Sequence, residues 1–231
     1  LPRIDCVICH HKGELVLKAI HSILQSRGVI VRLFVITSDP KVRFYMATTI
    51  YAQGGPAHKR NFALRFTEAD CIAFFDDDVE VEPNCVLEMW KVLQKDGVGM
   101  VFGKTLNFEF KEMFDEAGSY LTPSGFLWSR GDRTKDIGQF ENVEPILSGK
   151  SASCMIRRET FSQVGLFDES YEILGEETDL AWRVWLYGWK VMYAPQSVAF
   201  HKFNTRFKPR DFYVPRRVYF NGCRNYITML L

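Results

Sequence analysis

Residues 71–83 read CIAFFDDDVEVEP, and this stretch decides the fold. Five apolar residues in a row, too few for a helix, read as a strand buried on both faces, as in a parallel sheet covered by helices. Three aspartates follow at once, so they emerge at the strand's C-terminal edge, where parallel α/β sheets bind ligands. Strand alternation puts Asp76 and Asp78 on one side and Asp77 on the other. Carboxylates crowded there repel one another, and a divalent cation relieves that repulsion. Oxygen ligands with few partners suit Mn²⁺ or Mg²⁺ bridging to a diphosphate. The competing reading is a solvated acidic turn that caps the next helix.

On either side of that stretch, strand and helix alternate. Residues 4–8 and 29–36 read as strands, 14–26 as an amphipathic helix, and 57–69, after Gly54-Gly55-Pro56, as a second helix. A third helix is expected over 83–95, with Pro83 in its first turn, and VGMVFG (98–103) as a strand. From about residue 104 alternation weakens and aromatics and glycines accumulate, as in antiparallel or irregular substrate-binding structure. There ILSGKSASCMI (146–156) reads as strand-like, 157–165 as a short helix, 178–188 as a helix closed by Gly188, and 190–195 as a strand. The predicted class is α/β: a Rossmann-like, mainly parallel central sheet flanked by helices, with a smaller antiparallel region. One domain is expected over 1–200, with a ligand-binding half at 1–103 and a second half at 104–200.

Composition sets the outer limits. The chain has 231 residues, 47% hydrophobic and 25% charged, with a net charge of +1. That describes a globular protein without the basic excess of a nucleic-acid binder. No apolar run approaches the length of a membrane-spanning helix. The ends, LPRID and ITMLL, read as cuts within a longer chain. Six cysteines are spread thinly, mostly in apolar stretches, which suggests reduced core residues and a cytoplasmic setting. Cys6-Val-Ile-Cys9-His10 has the spacing of a haem attachment site. It lies on a predicted core strand, however, where residues three apart face opposite ways.

Two further places could carry chemistry. Glu176, Glu177 and Asp179 stand at a loop-to-helix junction with Thr178 a candidate cap. They either serve the helix dipole or supply a general base that takes a proton from an attacking hydroxyl. His201 follows the apolar run VAF and reads either as a structural histidine or as a third ligand beside two aspartates.

Five segments together resemble a family 2 glycosyltransferase of the GT-A fold: IDCVICHHKGELVLKAIHSILQ, GGPAHKRNFAL, FFDDDVEVEP, GKSASCMIRRETFSQVGLFDE and GEETDLAWRVWLYGWKVMYAP. Their look is nearest to rhamnosyltransferase-type enzymes of bacterial surface polysaccharides. The resemblance implies that Asp76 and Asp78, completed by His201, hold a Mn²⁺ or Mg²⁺ ion that bridges the donor phosphates. It implies that Asp77 contributes to the donor's ribose or sugar. Cys9 and His10 would meet the nucleoside, Lys59, Arg60 and Asn61 the donor, and Gly149, Lys150, Ser151 and Trp182 the acceptor. Glu177 takes the place of the family's catalytic Asp, and Glu176 that of the Glu before it. The usual Asp at the end of the second strand is missing from FVITSDP, so Thr37 or Asp39 must serve.

The function implied is metal-dependent, inverting transfer of a sugar from a nucleotide-diphosphate donor (UDP, dTDP or GDP type) to a glycan or lipid-linked acceptor. Two alternatives stand: a non-catalytic nucleotide- or sugar-binding scaffold, and a phosphohydrolase that forms an aspartyl-phosphate. The hydrolase typically wants Thr or Val where Glu80 stands. The aromatic region 106–128, with Phe126 and Trp128, is a candidate sugar-stacking surface. Segment 201–231, basic and aromatic, reads as a solvated face, a lid, or a peripheral contact with anionic lipid at the cytoplasmic face of a membrane.

Overall fold

A computed structural model describes residues 1–11, 13–123, 127–202 and 220–228 except 222 and 226. Phe126 and most of the basic tail, with the membrane reading attached to it, lie outside the described residues.

The strands are β1 (Arg3–His10), β2 (Ile30–Thr37), β3 (Thr48–Tyr51), β4 (Cys71–Asp76), β5 (Val79–Val81), β6 (Val98–Asn107), β7 (Phe114–Glu116), β8 (Ser119–Leu121), β9 (Leu127–Ser129), β10 (Glu144–Pro145), β11 (Ser153–Arg157) and β12 (Lys190–His201). The helices are α1 (Leu15–Leu24), α2 (Pro56–Leu64), α3 (Cys85–Leu93), α4 (Arg158–Val164) and α5 (Glu176–Leu186). One large sheet runs β10-β12-β6-β11-β4-β1-β2-β3, with β5 on β12 and β7 on β6. Pairs β1·β2, β1·β4, β2·β3 and β6·β12 are parallel, while β11 is antiparallel to both β4 and β6. The C-terminal ends of β1, β4, β6 and β12 therefore share one edge of the sheet.

Strand β4 shows why the sheet is covered on both sides. Cys71, Ala73 and Phe75 join one core cluster, and Ile72 and Phe74 the other. The first cluster takes Val16, Ile20 and Ile23 of α1 and Val86, Met89 and Leu93 of α3. The second takes Ala57 and Ala63 of α2, Phe161 of α4, and Leu180 and Val184 of α5. Burial at both faces is what a continuous apolar strand requires. Cys6 belongs to the first core and Cys9 packs against the second, so the two thiols face opposite sides of β1.

Several expectations need correction. The helix expected over 57–69 ends at Leu64, because the amides of Glu68 and Ala69 donate to the Asp5 carboxylate at 2.6 and 2.8 Å instead of to helix carbonyls. Pro83 precedes α3, whose N-cap is Asn84. The strand expected over 146–156 forms only from Ser153; Leu147 and Ser148 are bonded instead to Ser119. Lys190–His201 is one twelve-residue strand whose pairing with β6 slips between Ala194 and Val198. Strands β3, β5 and β7–β10 were not foreseen, since each is four residues or fewer. No helix among the described residues is long and apolar enough to cross a membrane.

Candidate active site

The shared C-terminal edge opens into a cleft of about 1020 Å³. Cys9 and Asp76 are register partners, so β1 and β4 end side by side at its floor. Asp76, Asp78 and His201 each turn one ligand atom toward a common point, and those atoms lie within 4.8 Å of one another. His201 Nε2 is 3.3 Å from Asp78 Oδ1 and 3.8 Å from Asp76 Oδ2. Asp77 turns away, and its Oδ2 accepts the backbone N–H of His11 at 2.6 Å. The alternation read from the sequence is thus the alternation observed.

His201 is fixed from behind. Its Nδ1 is 2.8 Å from Asp115 Oδ2, and Asp115 Oδ1 accepts from Lys150 Nζ. Asp115 is 2% exposed. Burial alone would raise its pKa, but His201 and Lys150 hold it well below the ordinary carboxylate range. Burial likewise opposes a charge on His201, yet the bonds to Asp115 and Asp78 push the imidazole up to about 10, so a cation bound there would displace the proton on Nε2. A carboxylate only accepts, so Nδ1 must donate and Nε2 is left to face the two aspartates. A hydrogen-bonded imidazole with two carboxylate oxygens is the donor set of a divalent-cation site with its orienting partner in place. The residues fit such an ion, which would also relieve the upward pressure that burial exerts on the Asp76 carboxyl.

Arg60 ties the floor to the far wall. Its guanidinium, 1% exposed, donates to Glu176 Oε1 at 2.6 Å, Ser151 Oγ at 2.8 Å and Asp76 Oδ1 at 3.2 Å. Burial works against the cation, but Glu176 and Asp76 outweigh it and hold the pKa above the usual value. Neither Arg60 Nε nor Glu176 Oε2 has a hydrogen-bond partner among the described residues. Glu177, half-buried, lines the cleft beside this pair. Burial first, and the Glu176 charge second, raise its pKa well above the ordinary carboxylate value. Helix α5 starts after Gly175 at φ 92° with no side-chain cap. Thr178 is therefore no cap; its hydroxyl pairs with Ser148 at 3.2 Å.

The remaining expected residues divide in two. Cys9, Lys59, Gly149, Lys150 and Ser151 line the cleft. The Cys9 thiol, pushed up to about 12 by burial, contacts Pro56 O. Lys59 donates to His10 O at 2.6 Å, and burial lowers its pKa. Gly149 is required by close approach, since a Cβ there would meet the Phe102 ring at 2.8 Å. His10, Thr37, Asp39, Asn61 and Trp182 do not line the cleft. His10 bonds Thr37 Oγ1 at 3.1 Å, and Thr37 Oγ1 accepts the Asp39 N–H. Asn61 bonds Phe167 in both directions and Glu169, and so anchors the loop before α5. Sequence reasoning missed Asp115, Glu116, Ser119, Ser129 and the His58–Glu169 pair (2.7 Å), all at the cleft or directly behind it. Only the acidic Asp115-Glu116 pair between apolar neighbours offered a signal.

A family model described as Glycosyl transferase family group 2 matches residues 71–231. The chain belongs to that family. Among relatives of this glycosyltransferase domain, the O-antigen biosynthesis protein RfbC of Myxococcus xanthus is 29% identical over 149 residues, 61% of this chain and 12% of RfbC. The N-acetylglucosaminyl-diphospho-decaprenol L-rhamnosyltransferase of Mycobacterium tuberculosis (strain ATCC 25618 / H37Rv) is 37% identical over 81 residues, 33% of this chain and 26% of that protein. The chain thus spans well under two thirds of either relative. Its fold is similar to that of GalNAc-T7, solved with UDP, GalNAc and Mn²⁺ (TM-score 0.75, 16% identity, 100% of this chain and 48% of that one). It is also similar to the mannosyltransferase PcManGT of Pyrobaculum calidifontis, solved with GDP-Man and Mn²⁺ (TM-score 0.63, 14% identity, 89% and 58%). The fold is GT-A, as the five segments implied.

Proposed function

We propose that this domain transfers a sugar from a nucleotide-diphosphate donor of UDP, dTDP or GDP type to a hydroxyl of a glycan or lipid-linked glycan. Transfer inverts the anomeric centre by single displacement. The observation that carries this reading is the convergence of Asp76, Asp78 and His201 on the floor of the cleft that Glu177 also lines. The Mn²⁺-bound neighbours, the O-antigen biosynthesis relative and the rhamnosyltransferase relative support it.

In this reading the half at 1–103 takes the donor and the half at 104–200 the acceptor. Asp76, Asp78 and His201 would hold Mn²⁺ or Mg²⁺, which when bound supplies positive charge for the diphosphate. Glu177, its pKa raised, takes the proton of the acceptor hydroxyl. Burial first, and the charge of the Arg60-bound Glu176 second, raise the Glu177 pKa above the ordinary carboxylate value, which makes it a stronger base. Lys59 and Arg60 add positive charge where the leaving diphosphate gains negative charge. Gly149, Lys150 and Ser151 sit on the acceptor side. Six free cysteines suit a cytoplasmic setting.

Thermal unfolding with UDP, dTDP and GDP, and with their sugar conjugates, tests the reading in Mn²⁺, Mg²⁺ or EDTA. A metal-dependent rise in Tm with one nucleotide supports it by mass action. No shift with any diphosphate would favour the non-catalytic scaffold, which the Glu at the base position also allows.

A further inference from the structure

We infer that Asn225 is a positioning residue for the reaction: its side-chain amide holds the turn that delivers Glu177 to the cleft. This rests on the reading of Glu177 as the base.

The chain enters α5 through an awkward turn. Leu174 has φ 66° and Gly175 φ 92°, two left-handed residues in succession, and only the second is glycine. A left-handed leucine is strained and persists only where its surroundings over-determine it. The side chains of Ile173 and Leu174 do not hold this turn, since both are exposed; the buried Tyr171 ring packs against Gly175 but hydrogen-bonds neither carbonyl of the turn. A helix cap does not hold it either, since no side chain caps α5. Asn225 does. Its Nδ2 donates to Ile173 O at 3.0 Å and to Leu174 O at 2.7 Å, the two carbonyls of the turn.

The amide cannot face the other way. Asn225 Oδ1 accepts from Arg224 Nε at 3.0 Å and Nη2 at 2.8 Å, and a guanidinium only donates. Arg224 Nη2 also donates to Ser170 O at 3.0 Å, which ties the same loop one turn earlier. Asn225 is 3% exposed and lies in a region where the described residues are helical. From the opposite side, Asn61 of α2 fixes Phe167 and Glu169. The loop 167–175 is thus stapled near both ends, with the nearer Asn225 bond, at Leu174, three residues from Glu177. Misplacement of a catalytic group by about 1 Å can cost about a hundredfold in rate.

The test is a double-mutant cycle on the full chain with Asn225→Ala and Glu177→Gln. It reads nucleoside diphosphate released from the UDP-, dTDP- or GDP-sugar that stabilises the protein, with octyl glycosides or water as acceptor. Amide hydrogen exchange of residues 171–179 gives a reading that needs no substrate. Asn225→Ala should lower kcat at least about tenfold, leave both KM values within about threefold, and speed exchange about tenfold across the turn. In the Glu177→Gln background it should lower the rate no further, because both changes act through one group. Asn225→Asp, which keeps the oxygen for Arg224 but loses both donated bonds, carries the same test if the alanine variant does not fold. A near-normal kcat for Asn225→Ala beside an impaired Glu177→Gln overturns the positioning role alone. So does a raised KM at unchanged kcat, a multiplicative double mutant, or unchanged exchange. Near-normal turnover by Glu177→Gln overturns the base reading, and this inference with it.

Discussion

His201 and Asp115, 86 residues apart, meet through a 2.8 Å hydrogen bond from ring Nδ1 to carboxylate Oδ2. That bond fixes which nitrogen faces Asp76 and Asp78. Asp115→Asn keeps the size of the side chain but presents a weaker acceptor, or an N–H that repels the ring N–H. Loss of such an orienting partner costs about 10–100-fold in metal affinity. Titration of the nucleotide-dependent Tm rise with Mn²⁺ should therefore need about 10–100-fold more ion in Asp115→Asn. An unchanged titration would mean that His201 is not a ligand.

Glu177 makes a prediction with two signs. As a base it works only when ionised, and burial beside Glu176 raises its pKa above the usual value. Transfer should fall off on the acid side at a pH above the ordinary carboxylate range. Glu177→Gln should lower turnover about 10²–10⁴-fold and leave diphosphate binding intact. Stability should move the other way. A carboxyl with a raised folded pKa binds its proton more tightly folded than unfolded, so its contribution is lost as pH rises through that folded pKa. Glu177→Gln should therefore melt higher than the parent at pH 7–8 and show no such gain near pH 4. Equal melting at both pH values would mean that the carboxyl is not perturbed.

What the sequence revealed depended on range. Asp76 and Asp78 were legible because an apolar run and a two-residue period are local signals. His201 was legible as a polar residue closing another apolar strand. Asp115 and Asn225 were not, since their partners lie 86 and 51–52 residues away; the acidic pair Asp115-Glu116 marks a polar spot but not its partner, and nothing local marks Asn225. The overshoot of α2 has the same origin: Asp5, 63 and 64 residues distant, takes the two amides that would have continued the helix. Trp182 and Asn61, placed at ligands by resemblance, are not among the residues that line the cleft; Asn61 is taken up instead by Phe167 and Glu169.

Arg60 binds three partners, on β4, on α5 and in the loop before β11, from a position 1% exposed. Its removal would strand the Glu176 charge, which is 3% exposed and has one oxygen without a partner among the described residues. Breaking a buried pair by deleting one member costs about 3–5 kcal/mol. Urea unfolding of Arg60→Ala should show a loss of that size, and the Glu176→Gln change added to it should recover part. Arg60→Lys should not restore the parent stability, because an ammonium cannot span Glu176, Ser151 and Asp76 as a planar fork does. A loss under about 1 kcal/mol in Arg60→Ala would mean that the buried Arg60–Glu176 pair does not contribute to stability as this account requires.

Asp5 allows a control at the other end of the sheet. It is four residues before Cys9, the register partner of Asp76, so it lies about 13 Å from the cleft floor at about 3.3 Å per residue. Its two oxygens accept from Arg32 Nε and Nη2 and from the amides of Glu68 and Ala69, all at 2.6–2.9 Å. Burial raises its pKa, but those four donors outweigh it and leave the net shift downward from 3.8. A depressed folded pKa contributes stability that is fully present above the unfolded value and disappears as pH falls through the folded one. Asp5→Asn should thus cost about 2–3 kcal/mol at neutral pH, the worth of hydrogen bonds to a buried charge. That difference should begin to shrink below about pH 4, where the carboxylate of the unfolded chain takes up its proton, and vanish below the lower folded pKa. The metal-dependent Tm rise with nucleotide should be the same size in parent and variant. If Asp5→Asn also abolished that rise, the two edges of the sheet would be coupled, and the separation of stabilising end from functional end would be wrong.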